Sequence, residues 1–214
     1  MSGPVDTRIY LVRHGETDWN RAQRLQGTTD TPLNQIGLDQ ARRVSRWLGT
    51  LRASHVVTSP LARARQTAVS IARRSGCALT VDPALIEIDH GSWAGLTLPH
   101  IARTCPGAVI DGQLQPDALD ASGGEALAAA YARTSRALRR LLAAPPAADV
   151  VVVSHGVINA LLICAAMGNA PVQMGEYTQS NGCAHLLCFR RRTLASFVSA
   201  VPLYGVPTND TSRP

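Results

Sequence analysis

Apolar residues along the chain fall into two rhythms. Residues 8–13, RIYLVR, set Ile9, Tyr10, Leu11 and Val12 in one unbroken run, and residues 149–153, DVVVV, repeat that arrangement. A run without alternation predicts a strand buried on both faces, as in a parallel sheet. Residues 31–49 follow the other rhythm and predict a helix. Asn34 is its N-cap and Gly49 the residue just past its end, with Ile36, Ala41, Val44, Trp47 and Leu48 on one buried stripe. HVVT at 55–58 predicts a short strand. SPLARARQTAVSIARRSG at 59–76 predicts a helix with Pro60 in its first turn and Gly76 at its close. ALTV at 78–81 reads as another strand, and residues 84–88 as a short one.

Residues 96–121 lack a clear period and hold Pro99, Pro106, Gly107, Gly112 and Pro116. They predict a partly helical excursion over a site, because long irregular segments in compact domains are usually functional. SGGE at 122–125 predicts a capping box of Ser122 with Glu125, heading an Ala-rich helix that runs to about Ala143. A further helix follows Gly156. CAHLLCFRRRTLASFVSAV at 183–201 predicts two strands joined near Arg191, an antiparallel edge. The alternation of strand and helix predicts an α/β fold: a three-layer α/β/α sandwich around a mostly parallel sheet with an antiparallel edge strand. Residues 1–205 are expected to form one domain, and 206–214, GVPTNDTSRP apart from its first residue, a disordered tail.

Composition narrows the partners. The chain has 214 residues, 45% hydrophobic but only 4% aromatic, so its core is built from Ala, Val, Leu and Ile. The formal charge is +6. All 21 basic residues are arginine, scattered along amphipathic stretches rather than gathered in a patch, which argues against nucleic acid as a partner. The five cysteines are odd in number and lack a Cys-x-x-Cys spacing, so neither a disulfide framework nor a structural zinc site is expected. MSGPVDTR has no basic start and no apolar segment, and the longest apolar run, VINALLICAAM, suits a core helix. A cytoplasmic protein that does not engage a membrane is the expectation.

The chemistry collects where strands should end. In open α/β sheets, ligands gather at the carboxyl edge of the strands. Arg13 and His14, the segment Ser59 to Arg63, and Ser154 and His155 all belong there, although the two histidines are far apart in sequence. Guanidinium forks match phosphate oxygens, and free N–H groups at helix starts favour anions. A neutral imidazole held in one tautomer is a competent nucleophile toward phosphorus. His14 is therefore the candidate nucleophile, and Arg13, Arg63 and His155 its anion-binding partners. The departing alkoxide needs a proton. Glu87, between Ile86 and Ile88, is the candidate acid, with Asp89 its competitor and His90 a third titratable neighbour.

Six blocks then carry a resemblance. RHGETDWN (13–20), LQGTTDTPLNQIGLDQA (25–41), SPLARARQTA (59–68), EIDHGSWAG (87–95), SGGE (122–125) and VSHG (153–156) resemble the histidine phosphatase superfamily, in its phosphoglycerate-mutase-like branch. The likeness runs, in the family's order, to about residue 190. It implies that His14 becomes phosphorylated, that Arg13, Arg63 and His155 line the phosphate pocket, and that Glu87 supplies the proton. It implies that Asn20, Gln26, Gly27 and Gly156 contact phosphate or substrate. It further implies a small phosphate ester as ligand, no metal or organic cofactor in a phosphatase, a bisphosphoglycerate primer in a mutase, a cytosolic setting and, often, a homodimer.

Two departures separate this chain from the mutases it resembles. Their basic pair after the EIDHGSWAG block is missing. Residues 96–121 carry Arg103 as their strong base against Asp111, Asp117 and Asp120, and carboxylates roofing a site would repel a bis-anion. His90 stands where an apolar residue is usual. The expected activity is thus hydrolysis of a phosphomonoester without metal. The alternatives are a phosphoglycerate mutase and a catalytically silent phosphate-ester-binding protein. A metallohydrolase is disfavoured by histidine spacings that suit no metal.

Overall fold

A computed structural model of the chain describes residues 7–51, 53–143 and 148–201. The tail at 206–214 lies outside them. Eight strands and six helices are found among the described residues. They are β1 (Thr7–Arg13), α1 (Asp18–Arg21), α2 (Gln35–Leu48), β2 (Ala53–Thr58), α3 (Ala62–Ser75), β3 (Ala78–Val81), α4 (Leu98–Thr104), β4 (Val109–Ile110), β5 (Gln113–Leu114), α5 (Leu127–Ala143), β6 (Ala148–Ser154), α6 (Gly156–Met167), β7 (Ala184–Arg190) and β8 (Thr193–Val201).

Six strands form one sheet in the order β3-β2-β6-β1-β7-β8. β1, β2, β3 and β6 pair in parallel, and the β7–β8 hairpin closes the sheet as an antiparallel edge. The reversed strand is β7, one in from the rim. Unbroken apolar strands are explained by burial on both sides. Ile9 and Leu11 of β1 join Val150 and Val152 of β6 in a core with α5 and α6. Tyr10, Val12, Val151 and Val153 face a second core against α2 and α3. α6 shows the extreme of this placement, with every residue from Ile158 to Cys164 buried. Among the described residues no single helix is long and apolar enough to cross a membrane.

Several expectations need correction. α2 starts where its cap predicted, with Asn34 Oδ1 accepting from Gly37 N at 2.8 Å, but Gly49 keeps right-handed dihedrals (φ −66°) and is not a left-handed cap. Ile36 is 43% exposed and off the buried stripe. Residues 84–88 form no strand; a 3₁₀ turn at Pro83–Leu85 leads into extended chain. The Ser122–Glu125 capping box does not form. α5 begins only at Leu127, Ser122 Oγ donates to the Leu119 carbonyl, and Glu125 makes a bidentate pair with Arg133 at 2.6 and 2.7 Å.

Gly124 of SGGE has another use, shared with Gly91 of the facing loop. A Cβ on Gly91 would lie 2.4 Å from Ser122 O, and one on Gly124 would lie 2.1 Å from Asp89 O. Bare backbone at both positions lets the two loops touch. The excursion at 96–121 also finds its own partner. Trp93, Ile101 and Ala108 bury themselves with Leu25, Leu96, Leu98 and Val109, a small core beside the main ones.

Candidate active site

The register of the parallel strands brings the chemistry together. Arg13 ends β1 opposite Ser154, and Thr58 ends β2 opposite Val153. The chain after each strand continues the ladder by one bond: His14 N donates to Ser154 O, and Ser59 N donates to Val153 O, both at 3.0 Å. Three loops therefore leave one rim side by side. Gly15 follows because α2 presses onto it. A Cβ there would lie 2.4 Å from Gly37 O, and one on Gly37 would lie 2.0 Å from Glu16 O.

The rings of His14 and His155 lie edge to face, 5.2 Å apart. His14 Nδ1 is 2.7 Å from the Gly15 carbonyl, which can only accept. The proton therefore sits on Nδ1, and the Nε2 lone pair accepts from Arg63 Nε at 3.2 Å. Burial, followed by the charges of Arg63 and Arg13, pushes the imidazole well below its usual pKa of 6.5. His155 is held down by burial and then by Arg63. The Ser59 hydroxyl takes the Leu61 N–H on a lone pair at 3.3 Å and lies 2.7 Å from His155 Nε2. His155 Nδ1 is buried with no partner.

Arg63 is placed by the first turn of α3 and is 1% exposed. Its Nη1 donates to Thr29 O at 2.8 Å and its Nη2 to Gly27 O at 2.7 Å. The backbone of residues 27–29 thus aims its Nε at His14. Burial lowers this guanidinium to about 10, so it remains charged at neutral pH. Gly27 has φ +53°, and a Cβ there would crowd His90 N at 3.0 Å, so a side chain is excluded on both counts. Arg13 donates from Nη1 to Gln179 O at 2.5 Å, while its buried Nε has no partner. Burial lowers its pKa too. The unpartnered buried Nε–H of Arg13 and the charged Arg63 beside the lone pair on His14 form a receptor for an anion.

Glu87 is 9% exposed and reaches the same cavity. Its loop is hung from three anchors: Ser154 Oγ donates to Leu85 O at 3.0 Å, Arg133 Nη1 to Ala84 O at 2.7 Å, and Glu125 N to Asp89 O at 3.0 Å. Asp89 is otherwise engaged, accepting Gly91 N at 2.9 Å in its own turn, and does not line the cavity. His90 does line it, its pKa lowered by burial.

The cavity measures about 740 Å³ and its walls include Arg13, His14, Asn20, Gln26, Gly27, Arg63, Glu87 and Gly156. His155 is fully buried behind His14 and is not part of the cavity wall. Asn20 is set by α1, where Thr17 and Asn20 cap each other through backbone and side chain. Gln26 accepts through Oε1 from Thr17 Oγ1 at 2.9 Å. Among the described residues, those of the excursion at 96–121 do not line the cavity; Asp111 is exposed to solvent, and the side chains of Asp117 and Asp120 lie outside the described residues. The far wall comes from residues 174–181 instead.

Sequence reasoning missed that wall. Gln179 is 6% exposed. It donates from Nε2 to Leu11 O and Cys183 O, accepts from Asn159 Nδ2, and offers its carbonyl to Arg13. Asn181 Nδ2 donates to His14 O at 3.0 Å. The signal was TQSNG at 178–182, a polar run between a helix that is apolar but for Asn159 and a buried strand. Thr67 was also missed. Four residues after Arg63, it takes the Gly15 N–H at 3.1 Å.

Comparison with known proteins shows the family and the fold. The sequence model of the Histidine phosphatase superfamily (branch 1) matches residues 9–198. Relatives from Enterobacter sp. (strain 638) and Citrobacter koseri, both named "Probable phosphoglycerate mutase GpmB", are 35% identical over 168 residues and 36% identical over 171, each covering 75% of both chains. Among solved structures, mycobacterial glucosyl-3-phosphoglycerate phosphatase in complex with VO3 is similar at a TM-score of 0.74 and 31% identity, over 84% of this chain and 92% of that one. Bacillus stearothermophilus YhfR is similar at 0.80 and 26% identity, over 88% and 94%.

Proposed function

Because the chain belongs to the histidine phosphatase superfamily, branch 1, we propose that it hydrolyses a small phosphate monoester through a phosphohistidine on His14, without a metal ion. The observation that carries this reading is the state of His14: a buried, neutral imidazole whose Nε2 lone pair lies between charged guanidiniums. Nε2 attacks phosphorus in line with the ester oxygen. Arg13 and Arg63 hold the equatorial oxygens and spread their charge, while the buried His155 ring, 5.2 Å from that of His14, backs the nucleophile. Glu87 donates its proton to the departing alkoxide, so the alcohol leaves neutral. In the second half, Glu87 takes a proton from water, which attacks the phosphohistidine and releases phosphate and free imidazole. One ester and one water yield one alcohol and one phosphate.

The solved mycobacterial phosphatase supports hydrolysis, and the names of the Enterobacter and Citrobacter relatives favour a second reading, phosphoglycerate mutase. One assay separates the two. Turnover of 4-nitrophenyl phosphate in the presence of a metal chelator, unchanged by 2,3-bisphosphoglycerate, is the expected result. Loss of turnover in chelator would remove metal independence. Primer-dependent conversion of 3-phosphoglycerate would favour the mutase. Tight phosphate binding with no turnover would favour a silent binding protein.

A further inference from the structure

Beyond the phosphate cup the cavity changes character. Its volume, about 740 Å³, lies in the range of roughly 300–1,000 Å³ usual for sites that enclose a sizeable organic ligand. Outside the cup its lining mixes the apolar Leu25, Val157, Ala160, Met174 and Tyr177 with polar groups such as Gln40 and Ser180. Val157, Met174 and Tyr177 also pack against the main core, which gives this wall a fixed backing. Tyr177 contributes ring rather than hydroxyl, because its oxygen takes the Asn169 Nδ2–H at 2.7 Å and its ring stands edge-on to Phe197 at 5.8 Å. The segment that carries Met174 and Tyr177 is tied down at its start, where Tyr131 donates its hydroxyl to Asn169 O at 3.1 Å and Gln173 Oε1 accepts Ala170 N at 3.1 Å.

Charge points the same way. Arg24 is the one cationic side chain of the cavity outside the cup, among the described residues. It is exposed, and its Nη1 already donates to Gly95 O at 2.6 Å. Glu16 and Glu87 are the carboxylates facing the same space. A second phosphate would meet one solvent-screened guanidinium and the like charge of Glu16, too little to hold a bis-anion.

We propose that this outer half is a leaving-group subsite for a bulky alcohol with an apolar or aromatic flank, so that the substrate is the monophosphate of such an alcohol and carries no second phosphate. The proposal rests on the hydrolase reading above. It is tested by comparing 2-phenylethyl phosphate with glycerol 1-phosphate and 2,3-bisphosphoglycerate. The first two are esters of primary alcohols, so bond breaking is matched while apolar surface differs. A half-covered ring is worth on the order of tenfold in kcat/KM. The phenylethyl ester should lead by about that factor, and Met174→Asp and Val157→Asp should each bring the ratio toward one. Equal or reversed preference in the unaltered protein, preferred turnover of the bisphosphate, or a ratio untouched by both substitutions would overturn it. Failure of every ester to turn over would instead sink the hydrolase reading. The subsite is then decided by calorimetry with 2-phenylethyl phosphonate against methyl phosphonate, where equal affinity overturns it and tighter binding of the phenylethyl compound upholds it.

Discussion

Burial beside Arg63 and Arg13 keeps His14 uncharged, and the Gly15 carbonyl fixes which nitrogen carries its proton. One residue thus explains why an apolar strand ends in Arg-His-Gly. In the proposed function the arginine binds and the histidine reacts, and the glycine lets α2 close over the turn. The consequence for pH is specific. A free imidazole would lose its nucleophilic form as pH falls through 6.5, whereas His14, titrating well below that, stays reactive further into acid. Single-turnover phosphorylation by an aryl phosphate, followed in a stopped-flow instrument, should show no acid limb at 6.5. A limb centred there would mean that His14 does not experience the surroundings described. His14, Arg13, Arg63 and His155 were legible because each stands in a strand-end or helix-start position that chemistry alone marks. Gln179 and Asn181 were not. They act through backbone carbonyls, on Leu11, Cys183 and His14, and such contacts leave only a short polar run, TQSNG, with no spacing that names its partners.

At the level of elements, the buried strands β1 and β6 and the cap of α2 were readable, because an unbroken apolar run and an Asn before a helical stripe each have one physical explanation. The SGGE motif had two, and the sequence could not choose. Four residues match a capping box, yet Gly124 is used to let the Asp89 backbone approach and Glu125 to hold Arg133. The excursion is partly helical as its lack of a clear period suggested, but Trp93, Ile101 and Ala108 give it a core of its own, and its described residues do not line the cavity. Close approach of backbones also yields a test. Gly37 is the point where α2 meets the His14 turn, and a methyl group there would overlap Glu16 O at 2.0 Å. Gly37→Ala should cost about 2 kcal/mol or more in urea unfolding, at the severe end for a single methyl group. It should also lower kcat by displacing Glu16 and the turn beneath it. Stability within a few tenths of a kcal/mol of the parent would show that α2 does not bear on the turn as described.

The whole molecule inherits an acid sensitivity from its site. His14, His90, His155 and His185 are all lowered by burial. As pH falls through 6.5 the unfolded chain binds protons on these rings and the folded chain does not, so ΔG of unfolding falls with pH in that window. Between pH 7.5 and 5.5, above the range where ordinary carboxylates titrate, Tm should drop steadily, and inorganic phosphate should raise it by binding the folded state. A Tm that is flat or rises toward pH 5.5 would contradict the burial of these rings as neutral groups. The sheet brings together side chains from three distant segments at one rim, and the proposed function makes His14 the residue that carries phosphorus. The most direct measurement is to quench the protein with alkali during turnover of an aryl phosphate and map the phosphate by mass spectrometry. The result anticipated is an alkali-stable, acid-labile phosphate on the peptide holding His14, lost in His14→Ala together with turnover. Turnover with no phosphopeptide, or phosphate carried on His155 or a serine, would contradict the account.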